Sequence, residues 1–449
     1  MFFCRTKKCR KSFPKIQLTV KINFNGKYYL NGVVILQNAK VNESIVSVQP
    51  KLFTHRPFVI VWMTSILTGL AFSMFLISQT WFVISELNAP SRLGAVMLLM
   101  VIPRVLLMVV GGVLSDRFSR TRLISMVNGT RGIMIAGMVV LLITGHLSFL
   151  LLCLFAVIYG ILDAFYWPAN QSLLPVILEK EQLQRANSLV QTSNQLSLFL
   201  GPATAGFMIK WGSFPLVFGS VSLLLVAGSL LIRRVSEPGN HLPEPKKSPS
   251  ADLKEGIAYV KSVPYLTLAM FMSVSINFFL TGPLTIGIPL LVDQSLNGDV
   301  LYLSFLESSL AAGMITGALL VGSLNIRKKR PIVFLWMIFL LSLSNMLLSV
   351  MTELWHGMAV LLVSGVTLSI CNILSPSLVQ EMTENQMMGR VQSLMATASM
   401  GFVPLSLGTV TILLGFGFSI QSLIVVSAIF MALFALIILW KSKTIRLID

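Results

Sequence analysis

Gly111-Gly-Val-Leu-Ser-Asp-Arg-Phe-Ser-Arg-Thr-Arg-Leu123 packs one acid, Asp116, and three arginines, Arg117, Arg120 and Arg122, into one short stretch. The runs on either side are almost purely apolar, and charged residues make up only 11% of the 449-residue chain. Hydrophobic residues reach 55% and the mean hydropathy is +0.82, well above what a water-soluble domain carries. Most of the chain must therefore face lipid or other membrane helices, and the charged stretch reads as a break between two spans. A net charge of +17 suits nucleic acid when it is gathered on one face. Here it is spread over the breaks between apolar runs, so no nucleic-acid partner is expected.

Working outward from that break, twelve apolar runs reach the roughly 20 residues a helix needs to cross the hydrocarbon core. Six lie at about 57–84, 91–114, 122–143, 148–172, 187–210 and 214–233. Six more lie at about 264–293, 301–324, 331–350, 355–378, 388–415 and 418–440. The runs are too long for strands, and lipid forces spanning backbone to close its own hydrogen bonds, so they are helices. The expected fold is an all-α membrane protein of twelve transmembrane helices in two pseudo-symmetric six-helix bundles, residues 57–233 and 264–440. Between them residues 234–263 form a polar, Pro- and Lys-rich linker. There Leu253, Ile257 and Val260 share a helical face beside Lys254 and Lys261, which reads as a short amphipathic helix on the cytoplasmic membrane surface.

Charge sets the orientation, because cytoplasmic loops are enriched in Lys and Arg. Of the 34 basic residues, all but Arg92, Lys210, Arg104 and Arg131 fall on the side that holds both chain ends. Both termini are therefore expected in the cytoplasm, with the chain in the cytoplasmic (inner) membrane. Residues 1–56 form a basic extension without the apolar core of a signal peptide. Alternation around Asn25-Gly26 allows a small hairpin, and disorder is the other reading. Residues 441–449 form a short tail. Cys4 and Cys9 fit no zinc spacing, Cys153 and Cys371 read as packing residues, and no metal or cofactor is expected.

The halves repeat internally. Gly112, Arg117 and Arg120 align with Gly322, Arg327 and Arg330 at a constant shift, while Asp116 meets Ile326. Ser172 before Arg185 likewise matches Ser377 before Arg390. Two six-helix units in the same order form a parallel repeat about an axis along the membrane normal, and such a pair can rock around a central site.

These residues carry a resemblance. Six plus six spans, a basic middle linker and Gly112, Asp116, Arg117 and Arg120 in G-x-x-x-D-R-x-x-R spacing resemble the major facilitator superfamily. More narrowly, YWPANQSLLPVILEKEQLQRANSL, LGPATAG and DLKEGIAYVKSVPYL resemble bacterial drug exporters of the macrolide-efflux and enterobactin-exporter type. The likeness covers about residues 57–440. It implies that the Asp116 loop, with Arg122, latches the halves together in an outward-open state and releases them inward. Asp116 would then face the start of a helix from the other half near Met388, where a carboxylate gains about 0.3–1 kcal/mol from the dipole. A pure topology signal is the plainer reading of the same loop. Gly201, Pro202 and Gly206 resemble part of the antiporter motif of helix five, although Ser197 and Ala205 stand where glycines belong. Close packing and a kink explain the same residues without antiport.

A charge inside the membrane costs at least about 2.5–3.5 kcal/mol, so each needs a partner or a task. Arg104, Arg131, Asp163 and Glu307 fall inside spans. At about 1.5 Å rise per residue, Arg104 and Asp163 lie roughly 18 Å from the cytoplasmic edge and Arg131 roughly 14 Å. Asp163 is therefore expected to pair with Arg104 or Arg131. Tyr159, Asp163, Tyr166 and Asn170 share one stripe of span four. The resemblance implies that spans one, four, seven and ten line a cavity, which adds Gln79, Asn277, Thr281 and Asn372 as candidates; bonds between neighbouring helices are the bland alternative. Aromatic residues with few charges suit an amphiphilic organic molecule, cationic forms included. Glu307, about 10 Å in from the outer face, is the carboxylate suited to carry a proton.

The chain is thus expected to be no enzyme but a secondary transporter, exporting drug-like amphiphiles by alternating access in exchange for protons. Its expected partners are a small-molecule substrate, protons and membrane lipids, and its expected state is a monomer. Siderophores, lysophospholipids or metabolites are alternative cargoes. A sensor or scaffold that kept the fold is the rival of another class. No P-loop, H-E-x-x-H or G-x-S-x-G motif is present, which argues against ATP use and against membrane-enzyme chemistry.

Overall fold

The computed structural model describes residues 52–237, 249–324, 330–384 and 387–441; the hairpin reading of residues 1–50 and the 442–449 tail lie outside them. The described residues form helices throughout: α1 (Arg56–Ser85), α2 (Leu93–Arg117), α3 (Arg120–Ile143), α4 (Phe149–Ile177), α5 (Lys180–Trp211), α6 (Phe214–Ile232), α7 (Pro249–Ser262), α8 (Pro264–Gln294), α9 (Val300–Leu324), α10 (Arg330–Ser349), α11 (Leu354–Glu381), α12 (Met388–Gly415) and α13 (Ile420–Lys441). Local chemistry starts them. Prolines open α1, α6 and α8 in the first turn, where no N–H is missed. The Ser119 and Ser148 hydroxyls accept from the backbone N–H groups of Arg122 and Leu151 at the starts of α3 and α4.

Eleven of these helices are long and apolar enough to cross a membrane. The helices missing from that set are the 14-residue linker helix α7 and α5, which is 32 residues long but rich in Gln and Asn along its first half. It begins at Lys180, seven residues before the apolar run at 187, because its first turns are polar and helical at once. Its place is set by packing between α1 and α9.

Helix pairing follows one pattern twice. In the amino-terminal half α1 packs on α5 and α6, α2 on α4, and α3 on α4 and α6; in the carboxy-terminal half α8 packs on α12 and α13, α9 on α11, and α10 on α11 and α13. The two contacts between halves, α5 on α9 and α12 on α2, exchange under the same operation. Side chains repeat it as well. Arg120 Nε donates to Ser172 Oγ at 3.0 Å, and Arg330 Nη1 to Ser377 Oγ at 3.5 Å, so the aligned residues of the two halves make the same bond between a helix start and a helix end.

Small residues bring the repeated pairs close. A Cβ on Gly111 or Gly160 would collide with the backbone of the facing helix, at Ala164 and Met100, and one on Gly313 or Gly365 would collide at Leu362 and Leu310. Lipid offers no hydrophobic drive between helices, so such backbone-close seams supply the contact energy.

The linker helix α7 lies against protein. Val260, 1% exposed, is buried with Tyr265, Leu266, Val379, Met387, Val391 and Met395. Arg390 of α12 pairs with Glu255 at 2.6 Å, and Tyr259 Oη accepts from the Glu384 N–H at 3.1 Å. The linker helix thus docks on α12 through the face of Gly256 and Val260.

Contacts between halves gather at the end where α5 finishes and α9 begins, named the outer end after the orientation expected from the positive charges. Gly206 seats α5 on Ser304, and Gly94 of α2 seats against Thr411 of α12. Ser308 Oγ donates to the Phe199 carbonyl at 3.0 Å, and Lys210 pairs with Asp299 at 2.5 Å. At the inner end, where α1 begins and α13 finishes, a Cβ added at Gly112 or Gly389 would meet open space.

Replacing Gly160 or Gly365 by Val forces a branched side chain into the facing backbone and should lower thermal stability in detergent by the equivalent of about 1–3 kcal/mol or more. Gly219→Val, whose added Cβ meets nothing within 4 Å, should leave the melting temperature unchanged.

Candidate functional site

The carboxylate of Asp163 on α4 draws two arginines from two other helices. Arg131 Nη2 on α3 meets Oδ1 at 2.5 Å, and Arg104 Nε on α2 meets Oδ2 at 3.1 Å. The second contact is an ion pair approached off the N–H axis, not a hydrogen bond. Asp163 and Arg131 are 2% and 1% exposed, whereas Arg104 keeps 21% of its side chain open. Aromatic faces close the group. The Arg131 guanidinium lies 4.5 Å from the Tyr159 ring and 5.4 Å from Tyr166, and that of Arg104 lies 5.4 Å from Trp167. Such cation–π contacts are worth about 2 kcal/mol or more once desolvated. Tyr159 is held flat on Phe75, ring centres 4.6 Å apart and 8° from parallel.

This cluster forms one wall of a cavity of about 250 Å3 in the amino-terminal half. Asp163, Tyr166 and Asn170 of the α4 stripe line it with Arg131 of α3, joined by Phe72 from α1, Trp167 from α4 and Gln191, Asn194 and Gln195 from α5. Of these, Phe72 belongs with Ser65 and Thr68 to the face that span one offers, whereas Trp167, Gln191, Asn194 and Gln195 were passed over by sequence reading. Trp167 lies four residues after Asp163 and was within reach of the same periodicity. Gln191, Asn194, Gln195 and Leu198 recur at i, i+3, i+4 and i+7, a face that attention to Gly201 and Pro202 hid.

A second cavity, of about 210 Å3, lies between the halves. Glu307 of α9 lines it with Thr80, Met97, Pro202, Thr285 and Pro289, and Leu198 belongs to both cavities. No ion pair reaches Glu307 among the described residues. Gly201 seats α5 on Ser73 of α1, and Gly206 seats it on α9, so the helix-five residues work at the two seams of that helix.

Other candidates lie elsewhere. Tyr159 and Gln79 are 0% and 1% exposed and line neither cavity, and both polar ends of Gln79 lack a partner. Asn277 donates to the Ser273 carbonyl of its own helix. Thr281 is half-buried and Asn372 exposed, and neither lines a cavity. No cluster suited to a metal ion occurs among the described residues.

In the charged loop, the side chains of Asp116 and Arg117 lie outside the described residues, and with them the expected contact of Asp116 with the start of α12. Arg120, beyond its bond to Ser172, reaches Glu237 at 3.8 Å. Glu237 accepts from Ser119 Oγ at 2.8 Å and from the Thr121 N–H at 2.5 Å. Burial alone would raise this carboxyl, but the hydrogen bonds from Thr121 and Ser119 outweigh it and hold it below the usual carboxylate range. The linker thus supplies an acid at the start of α3. Arg122 borders the same inner-end pocket.

Comparison with known proteins adds the following. The family model described as Major Facilitator Superfamily matches residues 61–409. Macrolide efflux protein A of Enterococcus faecalis is 24% identical over 302 residues, covering 66% of this chain and 93% of that protein. The enterobactin exporter EntS of Escherichia coli is 23% identical over 295 residues, covering 64% of this chain and 68% of that protein. A solved structure of a mutant nucleoside transporter NupG superposes with a TM-score of 0.67 at 11% identity, covering 85% of this chain and 99% of that one. A bacterial homologue of the human lysosomal transporter Spinster, inward-facing and unoccupied, gives 0.62 at 16% identity over 85% and 95% of the two chains.

Asp163→Asn leaves two guanidiniums without their carboxylate and should destabilise the fold by about 3–5 kcal/mol. Adding Arg104→Gln restores the original net charge and should recover part of that loss, read as the fraction of monodisperse protein in a thermal challenge.

Proposed function

Because the chain belongs to the major facilitator superfamily, a family of membrane transporters, we propose that this multi-pass membrane protein exports amphiphilic organic compounds by alternating access, driven by inward proton flow. The observation that carries the reading is the pair of touching cavities. One holds polar and aromatic side chains around Asp163; the other holds Glu307 at the seam between halves. Both lie beneath the outer-end contacts.

Alternating access asks for two halves whose contacts can be exchanged. Contacts at the outer end rest on small residues and one exposed ion pair, Lys210 with Asp299, each more than a third open to solvent. An exposed pair is worth only about 0–1 kcal/mol, which suits a closure that must open in every cycle. Burial would raise the Asp299 carboxyl, but the Lys210 ammonium and the Tyr302 and Leu301 N–H groups hold it below its usual range. Its contribution is therefore lost only as pH falls through that lowered value.

Direction and coupling follow. The relatives whose names denote efflux support export. Glu307 faces a cavity without a counter-ion, so a proton can settle there without breaking a pair; Asp163, held by two arginines, suits structure and binding. Positive-inside charge supports an inner-membrane protein with both ends in the cytoplasm, acting as a single chain on substrate, protons and lipid.

Cells overproducing the protein should expel at least one of three fluorescent amphiphiles, one anionic, one neutral and one cationic, faster than cells with an empty vector, and a protonophore should abolish the difference. Glu307→Gln should reduce efflux to the vector level at unchanged membrane abundance. Faster accumulation would establish uptake instead, and undiminished proton-driven efflux by Glu307→Gln would remove that residue as the carrier.

A further inference from the structure

The Asp163 cluster does not balance. Two guanidiniums share one carboxylate, so the cluster at this wall of the first cavity carries an excess of one positive charge inside a membrane-spanning bundle; Arg131 and Asp163 line the cavity, and Arg104 stands behind them on Asp163. Nothing else lining the cavity is charged; its polar groups are the neutral amides and hydroxyls of residues such as Asn170, Gln191, Asn194 and Ser65. Glu307 is the charged group of the adjoining cavity, on the far side of Leu198. The fully buried Arg131 still has an Nε–H without a partner, and Arg131 is a lining residue. Arg104 keeps part of its guanidinium side chain open beside Trp167. Tyr159, Tyr166 and Trp167 soften the excess charge with their ring faces but cannot neutralise it.

A buried charge without a partner is costly, and the cost is recovered by whatever brings the opposite charge. We propose that the first cavity binds the acidic group of an anionic amphiphile, such as a carboxylate, with the acid against Arg131, whose charge Arg104 leaves uncompensated by sharing Asp163, and the apolar body against Phe72, Trp167 and Leu198. The proposal rests on the reading of this cavity as the transport site, and it narrows the cargo to amphiphilic acids. Neutral analogues lose the charge-assisted bonds, and cationic analogues meet like charge.

Three fluorescent probes of one shape test it: pyrenebutyrate, pyrenebutanol and pyrenebutylammonium. Binding is read by energy transfer from tryptophan to pyrene in phosphatidylcholine nanodiscs, with the parent and variants in identical discs so that partition into lipid cancels. The acid should bind about tenfold to a hundredfold more tightly than the alcohol, the value of one charge-assisted hydrogen bond, and the ammonium should bind weakest. Arg104→Gln should erase the preference for the acid, and Arg104→Lys, which keeps the charge, should retain it. Discs containing phosphatidylglycerol distinguish the sources of the acid: competition identifies a lipid headgroup, and its absence a soluble acid. Equal or tighter binding of the alcohol or ammonium to the parent protein would overturn the proposal, as would a preference that survives Arg104→Gln. Efflux of the same three probes from cells, measured in parallel with and without a protonophore, separates this outcome from failure of the transport reading, since binding preference and proton-driven transport can each be lost alone.

Discussion

A charge in hydrocarbon must find a partner inside the protein, and in this chain Asp163 is the partner that three helices share. It sits on α4 and holds Arg104 of α2 and Arg131 of α3. These helices also pack most closely through glycine, with Gly111 and Gly160 at the α2–α4 seam. Backbone proximity and ion pairing reinforce each other: only closely packed helices bring guanidinium and carboxylate within bonding distance at mid-membrane depth. The tyrosines and Phe75 that close over Arg131 add the low-dielectric walls in which such a pair is strong. Arg131 and Asp163 also line the first cavity, so the device that holds the half together borders the proposed site.

The second organising feature is that the halves meet chiefly through interchangeable contacts. Helices α5 and α12 each cross to the other half, onto α9 and α2, and each takes a position equivalent to the other. Prolines inside α5, α8 and α12 remove backbone hydrogen bonds where these helices border the central space, and so permit bending there. At the outer end small residues and one solvated ion pair suffice. At the inner end the linker helix α7 is fastened to α12 by Arg390 and Glu255, which ties the linker to the carboxy-terminal half.

Much of the architecture was legible before any coordinate. Lipid permits few solutions for a spanning backbone, so the apolar runs translate directly into helices. The depth of a charge follows from the helical rise, which brought Asp163, Arg104 and Arg131 to one level; the structure joins the acid to both bases. The aligned Arg120 and Arg330 make one bond in duplicate. Features that depend on helix rotation were harder to read. Tyr159 and Gln79 lie on polar stripes by spacing, yet they turn into the core because α1 presents Phe75 toward α4. The amide face of α5 is invisible to a search for apolar runs, since a helix bordering a cavity is polar for the same reason that it scores poorly as a span. The docking of α7 depends on the shape of α12, and the capture of the α3 start by Glu237 on how the chain leaves α6; neither is encoded in local periodicity.

The central claim is that the halves rock about their shared axis, so that closing one end opens the other. It is tested most directly by spin-label distances measured on the full chain in lipid, one pair at the inner end (Arg185 and Gln380) and one at the outer end (Thr144 and Thr352), all four exposed. In the parent protein the inner distance should be long and the outer one short. Lys210→Ala should create a second population in which the inner distance shortens and the outer one lengthens together. Distances that change in the same direction at both ends, or a single rigid pair of distances under every condition, would contradict the account.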